Sequence, residues 1–488
     1  MRSFNLSLPR SNRPLYLRIT DGLRDAIKSG MIMPGEKLPS CRTLAEQVGA
    51  NRHTVMTALE QLIAEGWIYA ETRKGYRVAE ELPSKFFSPA LSKMKPSTYT
   101  VSTTKRSLKP ITPKWDFRSS TPDLRLFPLD EFKTCLNASL KREGPTILGY
   151  GESNGYRPFI HELEKYLRRV RALAGRELIV THGSQEAIFI AAHVILSSGD
   201  GVAVEDRTYP AARTALSSTG ASLYAVKTDD EGLDPEAFAK LCTKRRIKLL
   251  YLTPLHQYPT TVTLSSPRRH ALYEVARKNG VMILEDDYDH EYHYRCQPLP
   301  PLAAEDPANI VIYVSTLSKI LFPSARIGFM AAPQQLHAKF SEARKMISTQ
   351  NDTLMQSAVA RWMRSDGFQR HLNRTRRTYE KRLRSALSTL SELKALGAPI
   401  NWITPDGGMA IWLKTPWDTE ELAKVAAAES IIIQPESPTR MDGKRSSHIR
   451  LGFARHTEQE FASGMERLLK LAAKHHRHCS LKESQLGS

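Results

Sequence analysis

Four separated segments of the 488-residue chain carry side chains whose types and spacing could do chemistry. Thr181–Ala187 reads THGSQEA, between one apolar run and another, so Ser184 and Gln185 would open a helix. There, free N–H groups and the helix macrodipole favour a phosphate. Glu285–Glu291 reads EDDYDHE directly after the apolar run VMIL. Three acids ending a strand are costly to crowd together unless one pairs with a cation. Ser315–Phe329 reads STLSKILFPSARIGF, with Lys319 33 residues after Asp286 and Arg326 seven after Lys319. The last segment, HIRLGF, sets Arg450 in a strand otherwise made of apolar residues. Each cation taken alone reads as a solvated surface group; their conjunction points to one anion-holding, nucleophile-bearing site.

These residues need elements to position them. From Trp115 onward, strand-like runs alternate with helical stretches: Glu177–Val180, Gly201–Val204, Ser222–Ala225, Leu249–Tyr251, Met282–Leu284 and Ile310–Tyr313. Such alternation predicts an α/β domain with a largely parallel or mixed sheet covered by helices. Ala410–Leu413, Ile431–Ile433, Ile449–Phe453 and a helix from Thr457 to Lys474 predict a smaller terminal α+β subdomain.

The first eighty residues are organised differently. Tyr16, Ile19, Leu23 and Ile27 follow helical spacing up to Gly30. Ser40 is placed to cap a second helix, Cys41–Gln47, and Asn51 a third. In the third helix Val55, Ala58, Leu59, Leu62 and Ile63 predict one buried stripe. Arg52, His53 and Thr54 lie off that stripe at the amino end, where a helix-turn-helix presents residues to base edges. Two strands, Trp67–Ala70 and Tyr76–Ala79, then flank a basic turn at Arg73, Lys74 and Gly75.

Charge and composition bound the rest. Seventy Lys/Arg against 51 Asp/Glu give +19, which invites a polyanionic partner. The densest positive field is 83–114, with seven Lys/Arg and no acid, rich in Ser, Thr and Pro. It reads as an extended basic linker that cannot bury enough apolar surface to order itself. The five cysteines are scattered and never form a CxxC pair, so a disulfide framework or thiolate zinc site is not expected. His475, His476 and His478 lack spaced partner ligands and read as a basic tail, so no metal is expected. No run of 18 apolar residues and no secretory leader is present, so a cytoplasmic protein without a membrane partner is expected.

The order helix, LPSCRTLAEQVG, NRHTV-helix and hairpin resembles the winged helix-turn-helix of GntR-family regulators, with Asn51 in the place of the customary Ser. That resemblance implies binding of double-stranded operator DNA, with Ser40, Arg42, Asn51, Arg52, His53, Thr54 and Lys74 at the interface. The remainder resembles the pyridoxal phosphate site of fold-type I aminotransferases. The resemblance implies Lys319 as the residue holding the cofactor in an internal aldimine, a role a desolvated, cation-flanked amine can fill. Asp286 would pair with the pyridine nitrogen, and Tyr288, two residues on, would reach the ring 3-oxygen. Ser184, Gln185, Ser318 and Arg326 would hold the phosphate, and Tyr209 would stack on the ring. Arg450 would grip the carboxylate of an effector. The family's Asn-Pro-Thr-Gly turn is replaced by Tyr258-Pro259-Thr260-Thr261. Ser120 and Ser315 stand where glycine is usual, and an altered ligand entrance is expected from both.

The fusion resembles MocR/GabR-type transcriptional regulators, also on TPDLRLFP, HQYP, EDDYDHE and PSARIGF. Membership implies a pyridoxal phosphate-dependent DNA-binding regulator, homodimeric in the aminotransferase manner. It would sense a small amino compound, or the cofactor itself, at Lys319. The alternative is an active aminotransferase carrying a DNA-binding domain. The expected domains are 1–82 (DNA reader), 83–114 (linker), 115–380 (large cofactor domain) and 381–488 (small subdomain and tail).

Overall fold

The structure, a computed structural model, describes residues 6, 8, 12–72, 74–83, 113–118 and 121–486, with side chains up to 475. Most of the expected linker, and Arg73 of the basic turn, lie outside the described residues. The chain divides into two compact units, Met1–Leu108 and Lys109–Ser488.

The first unit holds α1 (Leu15–Lys28), α2 (Cys41–Val48), α3 (Arg52–Ala64) and a hairpin of β1 (Ile68–Glu71) and β2 (Gly75–Val78). Both expected caps form: Ser40 Oγ accepts from Thr43 N at 3.1 Å and Asn51 Oδ1 from Thr54 N at 2.8 Å. Each satisfies one N–H that a helix start would leave unpaired. Ile19, Leu23, Ile27, Leu44, Val55, Leu59, Leu62 and Val78 make the core. Ile63 departs from the expected stripe and is 37% exposed. At about 100° per residue it lies roughly 80° from Val55, whereas Leu62 lies about 20° away, so the stripe ends at Leu62. Arg24 forks onto Glu65 at 2.7 Å and Asp21 at 2.7 Å, tying α1 to the end of α3.

The second unit opens with β3 (Trp115–Asp116), α4 (Leu129–Glu143) and α5 (Arg157–Arg171). Strands and helices then alternate through β4 (Leu178–Thr181), α6 (Ser184–Ile195), β5 (Gly201–Glu205), α7 (Pro210–Ser217) and β6 (Ser222–Val226). A short hairpin of β7 (Thr228–Asp229) and β8 (Gly232–Leu233) leads to α8 (Pro235–Lys244), β9 (Ile247–Leu252), α9 (Ser266–Lys278) and β10 (Met282–Asp286). There follow β11 (Val311–Thr316), β12 (Gly328–Ala331), α10 (Gln334–Ile347), α11 (Thr353–Arg364) and the 29-residue α12 (Gly367–Ala395). The chain continues through β13 (Asn401–Ile403), β14 (Ala410–Lys414), α13 (Thr419–Ala428), β15 (Ile431–Ile432), β16 (His448–Gly452) and α14 (Glu458–Leu486).

Seven strands form the main sheet in the order β4-β12-β11-β10-β9-β5-β6. All are parallel except β12, which runs antiparallel to β11 and β4. Helices cover both faces, so the inner strands are apolar on both. Along β11, Val311 and Tyr313 face one core while Ile312 and Val314 face the other, the two-residue period of a strand. A second, three-stranded antiparallel sheet, β13-β14-β16, forms the small subdomain. β3 pairs in parallel with β15, so Trp115–Asp116, from the start of the unit, is built into its C-terminal part.

Candidate functional site

In a mostly parallel sheet, ligands bind beyond the carboxyl ends of the strands, where side chains from successive strand-to-helix loops converge. A cavity of about 340 Å³ lies there. It is lined by Ser184, Gln185, Tyr209, Asp286, Tyr288, Ser318, Lys319 and Arg326, all eight residues the sequence nominated for the cofactor. Thr121, Thr253, Tyr258 and Gln434 line it as well, and sequence reasoning missed them as site residues. Tyr258 carried a signal, since it replaces an Asn, and Thr121 another, since it opens TPDLRLFP; Thr253 and Gln434 carried none.

One end of the cavity is a cationic cup. β4 runs into α6 through Gly183, whose φ of +86° a side chain would strain. A Cβ there would stand 3.2 Å from the Arg326 guanidinium. A Cβ on Gly328 would stand 2.4 Å from the Gly183 carbonyl carbon. These two glycines let β12 lie against the start of α6, with the Arg326 guanidinium beside Gly183. Arg326 itself holds φ +49° and donates from Nη2 to the His182 carbonyl at 2.5 Å. Ser318 completes the rim, its Oγ 2.9 Å from Thr316 Oγ1. Helix dipole, backbone donors and a guanidinium together suit a phosphate.

The acids of EDDYDHE are sorted by partner. Glu285 accepts from Leu302 N at 2.9 Å and Ala303 N at 3.1 Å. Asp287 pairs with Arg171 at 2.7 Å and accepts from Tyr313 OH at 2.7 Å. The acid paired with a cation is therefore Asp287. Asp286 accepts from Tyr251 OH at 2.9 Å on Oδ2, while its buried Oδ1 has no partner among the described residues. Burial pushes the Asp286 carboxyl up to about 7; Asp287 and Asp289 add to this, while the Tyr251 hydroxyl and Lys319 oppose it. An orphaned carboxylate oxygen on the cavity wall fits a protonated ring nitrogen, which would restore its charge and give it a donor. Lys319 lines the same cavity, its amine pushed down to about 8 by burial. Such an amine is partly deprotonated near neutrality and able to attack a carbonyl carbon.

The tyrosines form a connected wall. Tyr209, at the start of α7, meets Tyr258 edge-on with ring centres 5.2 Å apart, and Tyr258 meets Tyr288 at 6.4 Å. Tyr288 OH donates to the His256 carbonyl at 2.9 Å. Arg450, on β16, is buried but is not among the cavity-lining residues. Its guanidinium lies 4.8 Å from the Tyr258 ring centre and donates to Pro259 O and Tyr288 OH, each at 3.2 Å. It meets the cavity through Tyr258 and Tyr288. Thr261 holds φ +68°, the conformation that the usual glycine would take without strain. Ser315 is not at a ligand entrance: it is fully buried in β11, donating to the Asp287 carbonyl at 2.6 Å, because its side chain points into the sheet's packed face. Ser120 lies outside the described residues.

In the first unit Arg52 and His53 are exposed at the first turn of α3, and Thr54 is half-buried with its hydroxyl on Asn51 Oδ1 at 2.8 Å. Arg42 is exposed and pairs with Glu46 at 3.1 Å; Lys74 is exposed on the hairpin turn. Ser40 and Asn51 act as helix caps, which positions the basic residues beside them. Among the described residues, no group of three or more His, Cys, Asp or Glu is arranged to hold a metal ion, and no helix is long and apolar enough to cross a membrane.

Residues 124–468 match the family described as aminotransferase class I and II, and residues 15–78 match bacterial regulatory proteins of the gntR family. The HTH-type transcriptional regulator YdcR of Escherichia coli is 30% identical over 86% of this chain and 91% of its own length. A probable rhizopine catabolism regulatory protein of Rhizobium meliloti, MocR, is 29% identical over 76% of each chain. Among solved structures, LysN, the α-aminoadipate aminotransferase of Thermus thermophilus complexed with N-(5'-phosphopyridoxyl)-L-leucine, is 27% identical. It superposes with a TM-score of 0.68 over 73% of this chain and 91% of its own. The chain belongs to the aminotransferase class I and II family, and within it to the HTH-type transcriptional regulators that carry a gntR-family DNA-binding domain. Its cofactor is pyridoxal phosphate.

Proposed function

We propose that the chain is a homodimeric regulator whose operator affinity is set by a small amino compound bound beside Lys319. The observation that carries this reading is a cavity lined together by the residues of the phosphate cup, by Asp286 with its orphaned oxygen and by Lys319. Pyridoxal phosphate, when bound, supplies an aldehyde for amines and a ring that withdraws electrons. Ser184, Gln185, Ser318 and Arg326 hold its phosphate, Asp286 keeps its ring nitrogen protonated, Tyr288 serves the ring oxygen, Tyr209 packs on its face, and Lys319 presents the amine. Arg450, which meets the cavity through Tyr258 and Tyr288, is our candidate for the carboxylate of the amino compound. In the reader, Arg52, His53 and Thr54 address the major groove, Arg42 and Lys74 the flanking phosphates, with Ser40 and Asn51 setting the helix starts.

A ligand shifts DNA binding only by its differential affinity for two arrangements of the molecule. We assign 1–82 to the reader, 83–114 to the linker, 115–380 to the large domain and 381–488 to the small one, with Trp115–Asp116 joined to the latter by strand pairing. The test is operator binding by full-length protein with and without a panel of amino acids, amino sulfonates and polyamines. Lys319→Ala is expected to keep operator binding, lose the visible absorbance of bound cofactor and lose every ligand response. Ligand-dependent operator release in that variant overturns the reading; steady turnover of an amino acid with a keto acid by the wild type favours a working aminotransferase instead.

A further inference from the structure

Tyr258 stands between the cavity and Arg450, and it is held from two sides. Within the large sheet's loops, its backbone N donates to Thr253 Oγ1 at 2.9 Å, and that hydroxyl donates to buried Glu205 at 3.0 Å. The Tyr258 carbonyl accepts from Gln257 Nε2 at 2.7 Å. From the C-terminal part of the chain, the Gln434 side-chain amide donates to the Tyr258 hydroxyl, and the Arg450 guanidinium lies over the Tyr258 ring. Gln434 and Arg450 belong to one piece of backbone, since Arg450 N donates to Gln434 O at 2.9 Å. Tyr258 and Gln434 line the cavity, whereas Arg450, 1% exposed, does not.

A guanidinium pressed on an aromatic face and hydrogen-bonded to a carbonyl and a phenol is desolvated and satisfied. An incoming group must offer more than these contacts do. A carboxylate or sulfonate does so, because it forms a charge-assisted, two-pronged pair with the guanidinium. A neutral or cationic end group offers nothing in exchange. The Tyr258 phenol is held above its usual range chiefly by burial, with Arg450 and Gln434 opposing, so at pH 7 it carries no charge to compete with such an anion.

We propose that Tyr258 and Gln434 form a gate over Arg450 that sets the selectivity of the site. An acidic end group parts Tyr258 from Gln434 and takes the guanidinium, while a simple amine leaves the pair closed. The inference rests on the reading of Arg450 as the partner of an effector's anionic group, and deepens it.

The gate is read by phenylglyoxal labelling of Arg450 in full-length, cofactor-free protein, followed by peptide mass spectrometry. In the wild type Arg450 is expected to label far more slowly than exposed Arg52. Tyr258→Leu, which removes ring face and hydroxyl, should raise the Arg450 rate roughly tenfold. Gln434→Ala, which removes only the latch, should raise it about fivefold. The rates of buried Arg171, paired with Asp287, and buried Arg344, bonded to the Val180 carbonyl, should stay as they were. If Tyr258→Leu does not fold, Tyr258→Ser serves in its place. A second measurement titrates L-alanine and ethylamine, which differ by one carboxylate, against the absorbance of cofactor-loaded protein. Both variants should tighten alanine relative to ethylamine by about fivefold or more. General loosening would weaken both ligands together and speed all three buried arginines. Wild-type labelling of Arg450 as fast as Arg52, or unchanged Arg450 rates in the variants, overturns the gate. So does an alanine preference that stays the same or falls. A wild type whose absorbance neither compound alters would strike the earlier reading, and the labelling rates would still decide the gate.

Discussion

Asp286 is a carboxyl group whose folded environment raises its titration from 3.8 to about 7. A raised acid binds its proton more tightly in the folded state. Its penalty is therefore absent below the unfolded value and grows as pH rises through that interval, at about 1.4 kcal/mol per unit. Asp286→Asn is thus expected to stabilise the cofactor-free protein at pH 8 by a few kcal/mol at most, about 4, and to leave it unchanged at pH 3. The same variant should bind cofactor at least tenfold more weakly. Thermal unfolding at the two pH values and an absorbance titration check both halves; an apo protein destabilised at pH 8 would refute the first. At this scale the reactive types were legible, because Lys319, Asp286 and Arg326 stand in short, unusual strings. Their partners were not. Arg171 lies 116 residues before the Asp287 it neutralises and Tyr251 lies 35 before Asp286, distances only the folded sheet closes.

Among the elements, the one we propose to present side chains to DNA is α3, and its start depends on Asn51. Substituting Ala removes the acceptor for Thr54 N and should destabilise the reader by about 1 kcal/mol. It should also weaken operator binding, since fraying displaces Arg52 and His53. Denaturation of the isolated first unit's signal within the full chain, together with a DNA titration, checks this; unchanged operator affinity would count against α3 as the reading helix. The helices and hairpin of the reader were legible because caps, periodicity and turn residues agree. In the large unit the parallel strands were legible as short apolar runs. β12 was not, since Gly328–Ala331 is four residues long and follows the Arg326 loop closely. Nor was β3, a two-residue strand whose partner lies over 300 residues away. Ile63 shows the limit of periodicity at a stripe's edge, where the next helical step already faces water.

For the whole molecule, the uneven charge has a measurable consequence. The 83–114 segment holds seven basic residues with no acid, beside a reader with 12 Lys/Arg and 9 Asp/Glu in residues 1–82. If those seven meet phosphates, replacing them with Gln should reduce the slope of log affinity against log salt by up to about 6. An unchanged slope would make the segment a tether alone. The chain downstream of it has a definite mooring. Trp115 N donates to Ser430 O at 3.1 Å, Phe117 N to Ile432 O at 2.8 Å, and Gly452 N to Phe117 O at 2.8 Å. The first described stretch beyond the tether is thus stitched to the strand end two residues past Arg450. If 83–114 acts as a tether, tension on it would be borne first by the lobe that carries Arg450, so the ligand grip proposed for that guanidinium and a pull from the DNA side would share one mechanical anchor.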